Sequence, residues 1–305
     1  MRALVTGAAG FIGRHVMRAL TLQDVVDDIT AVDIAHKPFV DALDLFRHED
    51  RHYDLVLHCA AVSPHRAAID GRALAVGAGN LALDAAMFEW AARTRPGRVV
   101  YFSSSAAYPV HMQASDLQFR LTEDDVDLVR PNEADAIYGW VKLTGERLAA
   151  AYRQQGGAVT VLRPFSGYGE DQSSKFPFGA FLYRTLARED PFEIWGDGEQ
   201  VRDFVHVDDV VGATLAAVEN EIDGPVNVCT GRPTPFNDLA RMFAAEAGYE
   251  PEIKHLTDAP RGVAYRVGDP TLLNTFYEPR VSLEEGVRRA LATKPTPREV
   301  GRCSG

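Results

Sequence analysis

Three glycines, Gly7, Gly10 and Gly13, stand between a β-rich run, Arg2 to Thr6 (RALVT), and an apolar-periodic stretch from Phe11 to Leu20 that reads as a helix. Glycine lets backbone come close to a pyrophosphate, and the helix that follows points its positive N-terminus at the same anion. The spacing is G-x-x-G-x-x-G rather than the common G-x-G-x-x-G fingerprint, so by itself the loop fits a plain glycine turn as well as a phosphate cradle. Its position after the first strand favours the cradle, with Gly7, Gly10, Phe11, Ile12 and Gly13 expected to meet a dinucleotide. Asp33 ends a second apolar strand, Ile29 to Asp33, 20 residues beyond Gly13, where an acid accepts hydrogen bonds from the adenosine ribose. A carboxylate there repels a 2′-phosphate and favours NAD over NADP, while His36 and Lys37 stand close enough to keep NADP open.

Further strand runs follow at Asp54 to His58, Arg98 to Phe102 and Ala158 to Leu162, separated by helical stretches at Leu81 to Arg93 and Tyr138 to Arg153. Alternating strands and helices predict an α/β fold, a Rossmann doubly wound parallel sheet with helices on both faces. His58-Cys59-Ala60-Ala61 closes one strand with small residues, so Ala60 and Ala61 are expected beside the dinucleotide and Cys59 reads as a buried filler. Residues 166 to 200, rich in Gly, Pro and aromatics, read as loops around a binding surface.

Beyond them come a helix from Val210 to Glu219, a strand from Pro225 to Cys229, and a helix from about Pro235 to Ala247. Thr234 is placed to cap that last helix and Gly248 to end it. Ser282 and Glu285 form a capping-box pair before a final helix ending near Leu291. The expected division is a dinucleotide-binding domain of residues 1–165 plus about 203–222, a smaller α/β substrate-binding domain of 166–202 plus about 223–292, and a tail of 293–305.

The net charge of −11 argues against a sequence-independent grip on nucleic acid. No apolar run approaches the ~18 residues of a membrane span. Cys59, Cys229 and Cys303 are odd in number and lack C-x-x-C spacing, which points to neither a disulfide framework nor a metal site. With the strand-like start at Arg2 and no secretory pattern before it, a cytoplasmic location is expected.

Tyr138 and Lys142, four apart in YGWVK, share one face of a helix. An isolated phenol is a poor base near neutral pH, but an adjacent ammonium and a cationic nicotinamide both favour the phenolate. Alone, such a pair is more often an aromatic packed beside a surface lysine. About 30 residues earlier, however, SSSAAYP (103 to 109) places three serines at the end of a buried strand.

The chain resembles the extended short-chain dehydrogenase/reductase family, within it the NAD-dependent nucleotide-sugar epimerases and dehydratases of the UDP-glucose 4-epimerase type. The resemblance rests on GAAGFIG, Asp33, HCAA, SSSAAYP, YGWVK, RPFSGYG and above all WGDGEQVRDFVHVDD (195 to 209). It implies that Gly7, Gly10, Gly13 and Asp33 hold NAD, that Asn80 lies near it, and that Tyr138 and Lys142 are catalytic. The family's catalytic hydroxyl stands four residues before the tyrosine that closes the serine motif, which from Tyr108 gives Ser104. Ser105 is the fallback and a substrate contact, and Ser103 is expected to cap the strand end.

On the substrate side the resemblance implies a nucleotide-diphosphate sugar, gripped by Arg202 with Arg261 as a second candidate. Ser166 stands in RPFSGYG where the family has Asn. Arg163 reads as a structural ion-pair former, and Asp203, His206 and Asp208 as fixing the domain junction. A homodimer through the helices near 81–93 and 138–153 is also implied.

The family divides after oxidation at C4 of the sugar. Its 4,6-dehydratases carry Asp and Glu where Ser105 and Ala106 stand here, and its 3,5-epimerizing members carry a cysteine at the position of Ala106. A 4-epimerase, passing through a transient 4-keto sugar, needs only the Ser, Tyr, Lys and a bound NAD, and is the expected activity. A dehydratase using Glu170 or Asp171 as the acid is the alternative, and a non-catalytic dinucleotide-binding regulator stands behind both.

Overall fold

The computed structural model describes residues 1–22, 26–35, 41–62, 71–260 and 262–293. His36, Lys37, Arg261, Cys303 and the expected tail from 294 on lie outside them.

Six parallel strands form the central sheet in the order β10-β5-β4-β3-β1-β2. They are β1 (Arg2–Thr6), β2 (Asp28–Val32), β3 (Leu55–His58), β4 (Arg98–Phe102), β5 (Val159–Pro164) and β10 (Gly224–Val228). Alternation along each strand divides the core. Ala3, Val5, Leu57, Val100, Leu162 and Val226 face one cluster, which packs under α1 (Phe11–Thr21) and the helix Val207–Glu219. Leu4, Val56, Val99, Tyr101 and Val161 face the other, under α2 (Ala42–His48), α3 (Ala73–Thr94) and α4 (Ala136–Gln154). Buried on both sides, these strands read as the continuous apolar runs that made them visible in the sequence.

The strand order turns back at β1. β2 lies on one side of it and β3 on the other, so the C-terminal ends of β1 and β3 flank the crevice where open α/β sheets bind ligands. Gly7 there takes a φ of 67°, and a β-carbon on it would lie 2.6 Å from the Ala60 backbone, so only glycine lets the two loops meet.

The remaining part of the chain packs on a third, aromatic cluster of Tyr168, Phe178, Phe181, Phe192, Phe236 and Phe243. Residues 166–200 are more ordered than their Gly- and Pro-rich composition implies. They hold β6 (Ser166–Tyr168), α5 (Pro177–Leu186, with proline in its first turn) and β7 (Phe192–Trp195). β8 (Val201–Arg202) and β9 (Phe204–His206) then lead into α6 (Val207–Glu219).

β10, expected in the substrate-binding part because it follows residue 223, instead pairs in parallel with β5 at the edge of the main sheet. Thr234 does not cap a helix. Thr234–Pro235 is β11, antiparallel to β8, and α7 (Phe236–Glu246) starts after it without a side-chain cap. Gly248 follows that helix with a φ of 64°, as expected of a terminating glycine. β12 (Ile253–Leu256) pairs with β7, and β13 (Tyr265–Arg266) with β8. Ser282 caps α8 (Leu283–Ala292) by accepting from the Glu285 N–H, while the Glu285 carboxylate turns to Arg288 and Arg289.

Candidate active site

The glycine loop fits a dinucleotide on its own geometry. A β-carbon at residue 13 would collide with the Gly7 carbonyl, and α1 begins at Gly10 with no side-chain cap and no acid in its first turn. Its first amides are therefore left for an anionic ligand. Asp33, just beyond β2, accepts from the Ala9 N–H (2.9 Å) and the Ala35 N–H (2.7 Å), which ties it to the glycine loop. Phe11 lies beside Arg14 and His15 on α1. Asn80 is fully buried and accepts from the Val62 N–H (2.8 Å) while donating to the Val62 and Val76 carbonyls. Its side chain therefore clamps the loop after Ala60 and Ala61, and acts on the crevice through that loop.

SSSAAYP and the YGWVK helix are locked together. Ser105–Ala107 form a short 3-10 turn, and the Asp135 N–H donates to the Ala106 carbonyl (3.0 Å). A β-carbon on Gly139 would collide with that same carbonyl, so the helix sits directly on the turn. Ala136, two residues before Tyr138, takes a φ of 55°, a left-handed conformation worth roughly 1–3 kcal/mol of local strain in a non-glycine residue.

Within the serines the roles separate. Ser103 does not cap the strand; its hydroxyl donates to Glu146, which pairs both carboxylate oxygens with Arg163 at 2.9 and 2.6 Å in the buried interior. Arg163 also donates to the Tyr108 hydroxyl (3.0 Å), which confirms it as a structural ion-pair former beneath the site. Ser104 is half-buried, and its Oγ accepts from the Ala106 N–H (3.1 Å), leaving the hydroxyl proton to donate elsewhere. Ser105 is buried.

Tyr138 is half-buried, and the Lys142 ammonium stands 5.9 Å from the centroid of its ring and 4.9 Å from that of Tyr101. Only 2% of Lys142 is exposed, yet its ammonium hydrogen-bonds to no other described residue. The ammonium thus lies over two ring faces, with the charge of Asp84 acting on it and its N–H donors open to a ligand. Cys59, expected as a buried filler, is half-buried, and desolvation of its thiol, against the pull of Lys142, pushes it up to about 12 and disfavours the thiolate.

On the substrate side, the Ser166 N–H donates to the Asp203 carbonyl (2.8 Å), and β6 pairs in register with β9. Arg202 lies with its guanidinium 5.6 Å from the Phe236 ring centroid and is the register partner of Arg266. Arg266 was not singled out from the sequence. It donates to Gln113 (2.5 Å) and pairs with Asp135 (2.7 Å), the residue that opens the Tyr138 helix, and so ties β13 to that helix. Its signal was present in the same segment as Arg261, as Arg266-Val267-Gly268-Asp269.

Asp203 accepts from Thr230, Gly231 and Gly268, and His206 caps α6 by accepting from the Asp208 N–H. The two carboxylates after RPFSGYG are engaged. Glu170 faces His206 (3.4 Å), and Asp171 pairs with Arg14 (2.6 Å) and His15 (3.1 Å). Among the described residues no cluster of three or more His, Cys, Asp or Glu is placed to hold a metal, and no helix is long and apolar enough to cross a membrane.

The sequence pattern of the NAD dependent epimerase/dehydratase family matches residues 3–229. GDP-mannose 3,5-epimerase 1 of Oryza sativa subsp. indica is 28% identical to this chain, over 94% of this chain and 80% of its own length. A solved structure of a UDP-glucuronic acid 4-epimerase variant from Bacillus cereus, with UDP-4-deoxy-4-fluoro-glucuronic acid and NAD, matches at a TM-score of 0.83 and 25% identity, covering 96% of this chain and 98% of that one. A dTDP-glucose 4,6-dehydratase from Streptomyces venezuelae, with NAD bound, matches at 0.81 and 25% identity, covering 96% of each chain.

Proposed function

The chain belongs to the NAD-dependent epimerase/dehydratase family, and from that premise we propose that it is a nucleotide-sugar epimerase acting at C4. The observation that carries this reading is the turn at Ser104 to Ala107. It carries the hydroxyls of Ser104 and Ser105 and the methyl groups of Ala106 and Ala107, with Ala106 locked by its carbonyl against Gly139 and Asp135. Elimination, or proton exchange at carbons other than C4, would call on a further acid or thiol, and neither stands in this turn. The two carboxylates that follow RPFSGYG, Glu170 and Asp171, are held by His206 and by Arg14 and His15.

Bound NAD would supply the acceptor and return of hydride at C4. Gly7, Gly10 and Gly13 would hold its pyrophosphate, Asp33 its adenosine ribose, and Lys142 its nicotinamide ribose. Tyr138 would take the proton of the C4 hydroxyl in the oxidation and give it back to the C4 oxygen in the reduction, the hydride going to and coming from NAD. Ser104 donates its free hydroxyl proton to the C4 oxygen and steadies it through both passages. Arg202 grips the diphosphate as a guanidinium fork suited to paired oxygens. The sugar ring rotates about that fixed anchor between the two transfers.

Incubation of the purified protein with a panel of UDP-, GDP- and dTDP-hexoses, followed by mass spectrometry and separation of the isomers, tests the reading. Epimerization gives a product of unchanged mass and inverted C4. Loss of one water would instead make the protein a dehydratase, and NAD binding without any turnover would make it a non-catalytic binder.

A further inference from the structure

Beneath Lys142, between the sheet and helices α3 and α4, runs a chain of polar side chains that the reaction above does not use. The Ala60 N–H donates to Thr6 Oγ1 (3.4 Å), Thr6 Oγ1 meets His58 Nδ1 (2.8 Å), and His58 Nε2 meets Asp84 Oδ1 (3.3 Å). From the other side the Tyr101 hydroxyl donates to Asp84 Oδ2 (2.6 Å). Thr6 and Tyr101 are 0% exposed, His58 and Asp84 1%. With Thr6 donating to Nδ1 and the Nε2 proton on Asp84, every donor in the chain points toward that carboxylate, so this tautomer satisfies all of them.

We propose that Asp84 is a positioning residue for Lys142, a buried counter-anion that holds the ammonium on the face of Tyr101 and turned toward Tyr138 and the cofactor. The inference rests on reading Tyr138 and Lys142 as the catalytic pair. Two independent features of the packing support it.

The first is steric. Gly145 lies within one turn of Lys142 on the same helix, and a β-carbon there would collide with the Tyr101 hydroxyl. The bare Cα lets Tyr101 lie under the helix, reach Asp84 with its oxygen and offer its ring to the ammonium at 4.9 Å. The second is electrostatic. Burial works against an ionised Asp84, but the charge of Lys142 and the hydrogen bonds from His58 and Tyr101 outweigh it and hold the carboxyl below its ordinary range. The groups facing the carboxylate are His58 from β3, Tyr101 from β4 and Lys142 from α4, with Glu146 and Tyr138 acting in turn on Tyr101. An apolar side chain of similar size would fill the same space without taking a carboxylate out of water, so the charge is more than packing requires.

A double-mutant cycle read by calorimetric NAD⁺ binding tests the proposal. Asp84→Asn should weaken NAD⁺ binding by about fivefold or more in the otherwise native protein, and by less than about twofold when added to Lys142→Met. In turnover, Asp84→Asn should lower kcat while substrate KM stays within about twofold, because the group acts on the cofactor side. Equal factors in the two backgrounds, or no change in either, overturn the proposal. Should Asp84→Asn fail to fold, Tyr101→Phe removes one hydrogen bond from Asp84, keeps the ring, and should show coupling of the same sign. Coupling in NAD⁺ binding without turnover of any nucleotide sugar leaves the role of Asp84 standing and overturns the catalytic reading instead.

Discussion

The carbonyl oxygen of Ala106 fills the space in which residue 139 would carry a β-carbon, so the helix bearing Tyr138 rests directly on the turn bearing Ser104. One missing methyl group sets the separation between the Tyr138 and Ser104 hydroxyls, the two that the proposed reaction uses. Since backbone rather than a side-chain tip stands in the way, no rotamer change relieves a larger residue.

Gly139→Ala should therefore lower kcat by on the order of 100-fold, the effect expected when reacting groups shift by about 1 Å. Alanine favours a helix interior over glycine by about 1 kcal/mol, so a purely local effect would raise the thermal midpoint with activity retained. Paired kinetics and calorimetry distinguish the two outcomes, and retained activity would remove the turn from the mechanism.

Tyr138→Phe should reduce turnover by about 10²- to 10⁴-fold, the range for loss of a general acid–base group. NAD⁺ affinity should stay close to native, because the ring that the Lys142 ammonium approaches at 5.9 Å is kept. Full activity in this variant would refute the assignment of the base.

The two neighbouring serines should behave differently. Ser104→Ala removes the half-buried hydroxyl with a free proton and is expected to cost roughly tenfold or more in kcat. Ser105→Ala, at a residue only 5% exposed, should change kcat by less than about threefold. The reverse order would move the catalytic role to Ser105.

A pH-dependent difference in stability is expected at Asp171. Burial raises its carboxyl, but hydrogen bonds and charge from His15 and Arg14 more than offset this and hold it well below the ordinary carboxylate range. Because the folded state lowers this pKa, the stabilisation is present above the unfolded value of about 3.9 and is lost as pH falls through the folded one. Asp171→Asn should thus be less stable than native at pH 7, by about 1 kcal/mol or less, since the partners are partly exposed and screened. Urea titrations at pH 7 and below pH 4 should show the gap closing; a gap that widens in acid would contradict the ion-pair account.

Much of this protein was legible in its residues. Buried parallel strands are unbroken apolar runs, so β1, β3, β4 and β5 were visible within a residue or two of their ends, and Tyr138 and Lys142 share a face by helical spacing alone. Local chemistry failed where a distant partner outweighed it. Thr234 and Pro235 look like a cap and a first turn, but they pair with Val201 and Arg202 from another segment. Pro177–Leu186 forms a helix in a stretch whose Gly, Pro and aromatic content suggests loops, because its phenylalanines find Phe192, Phe236 and Phe243.

The sequence by itself determined the alternation of strands and helices through β5, the glycine loop and the Tyr138–Lys142 spacing, all of which depend on neighbours a few residues apart. Tertiary structure alone decided which groups support them. Asp135 meets Arg266 across 131 residues, and Thr6, His58, Asp84 and Tyr101 converge under Lys142 from four separate elements. Polar contacts of that kind carry no period and no spacing. They exist because a closed interior requires each buried donor and charge to find a partner, and the folded sheet determines which one is within reach.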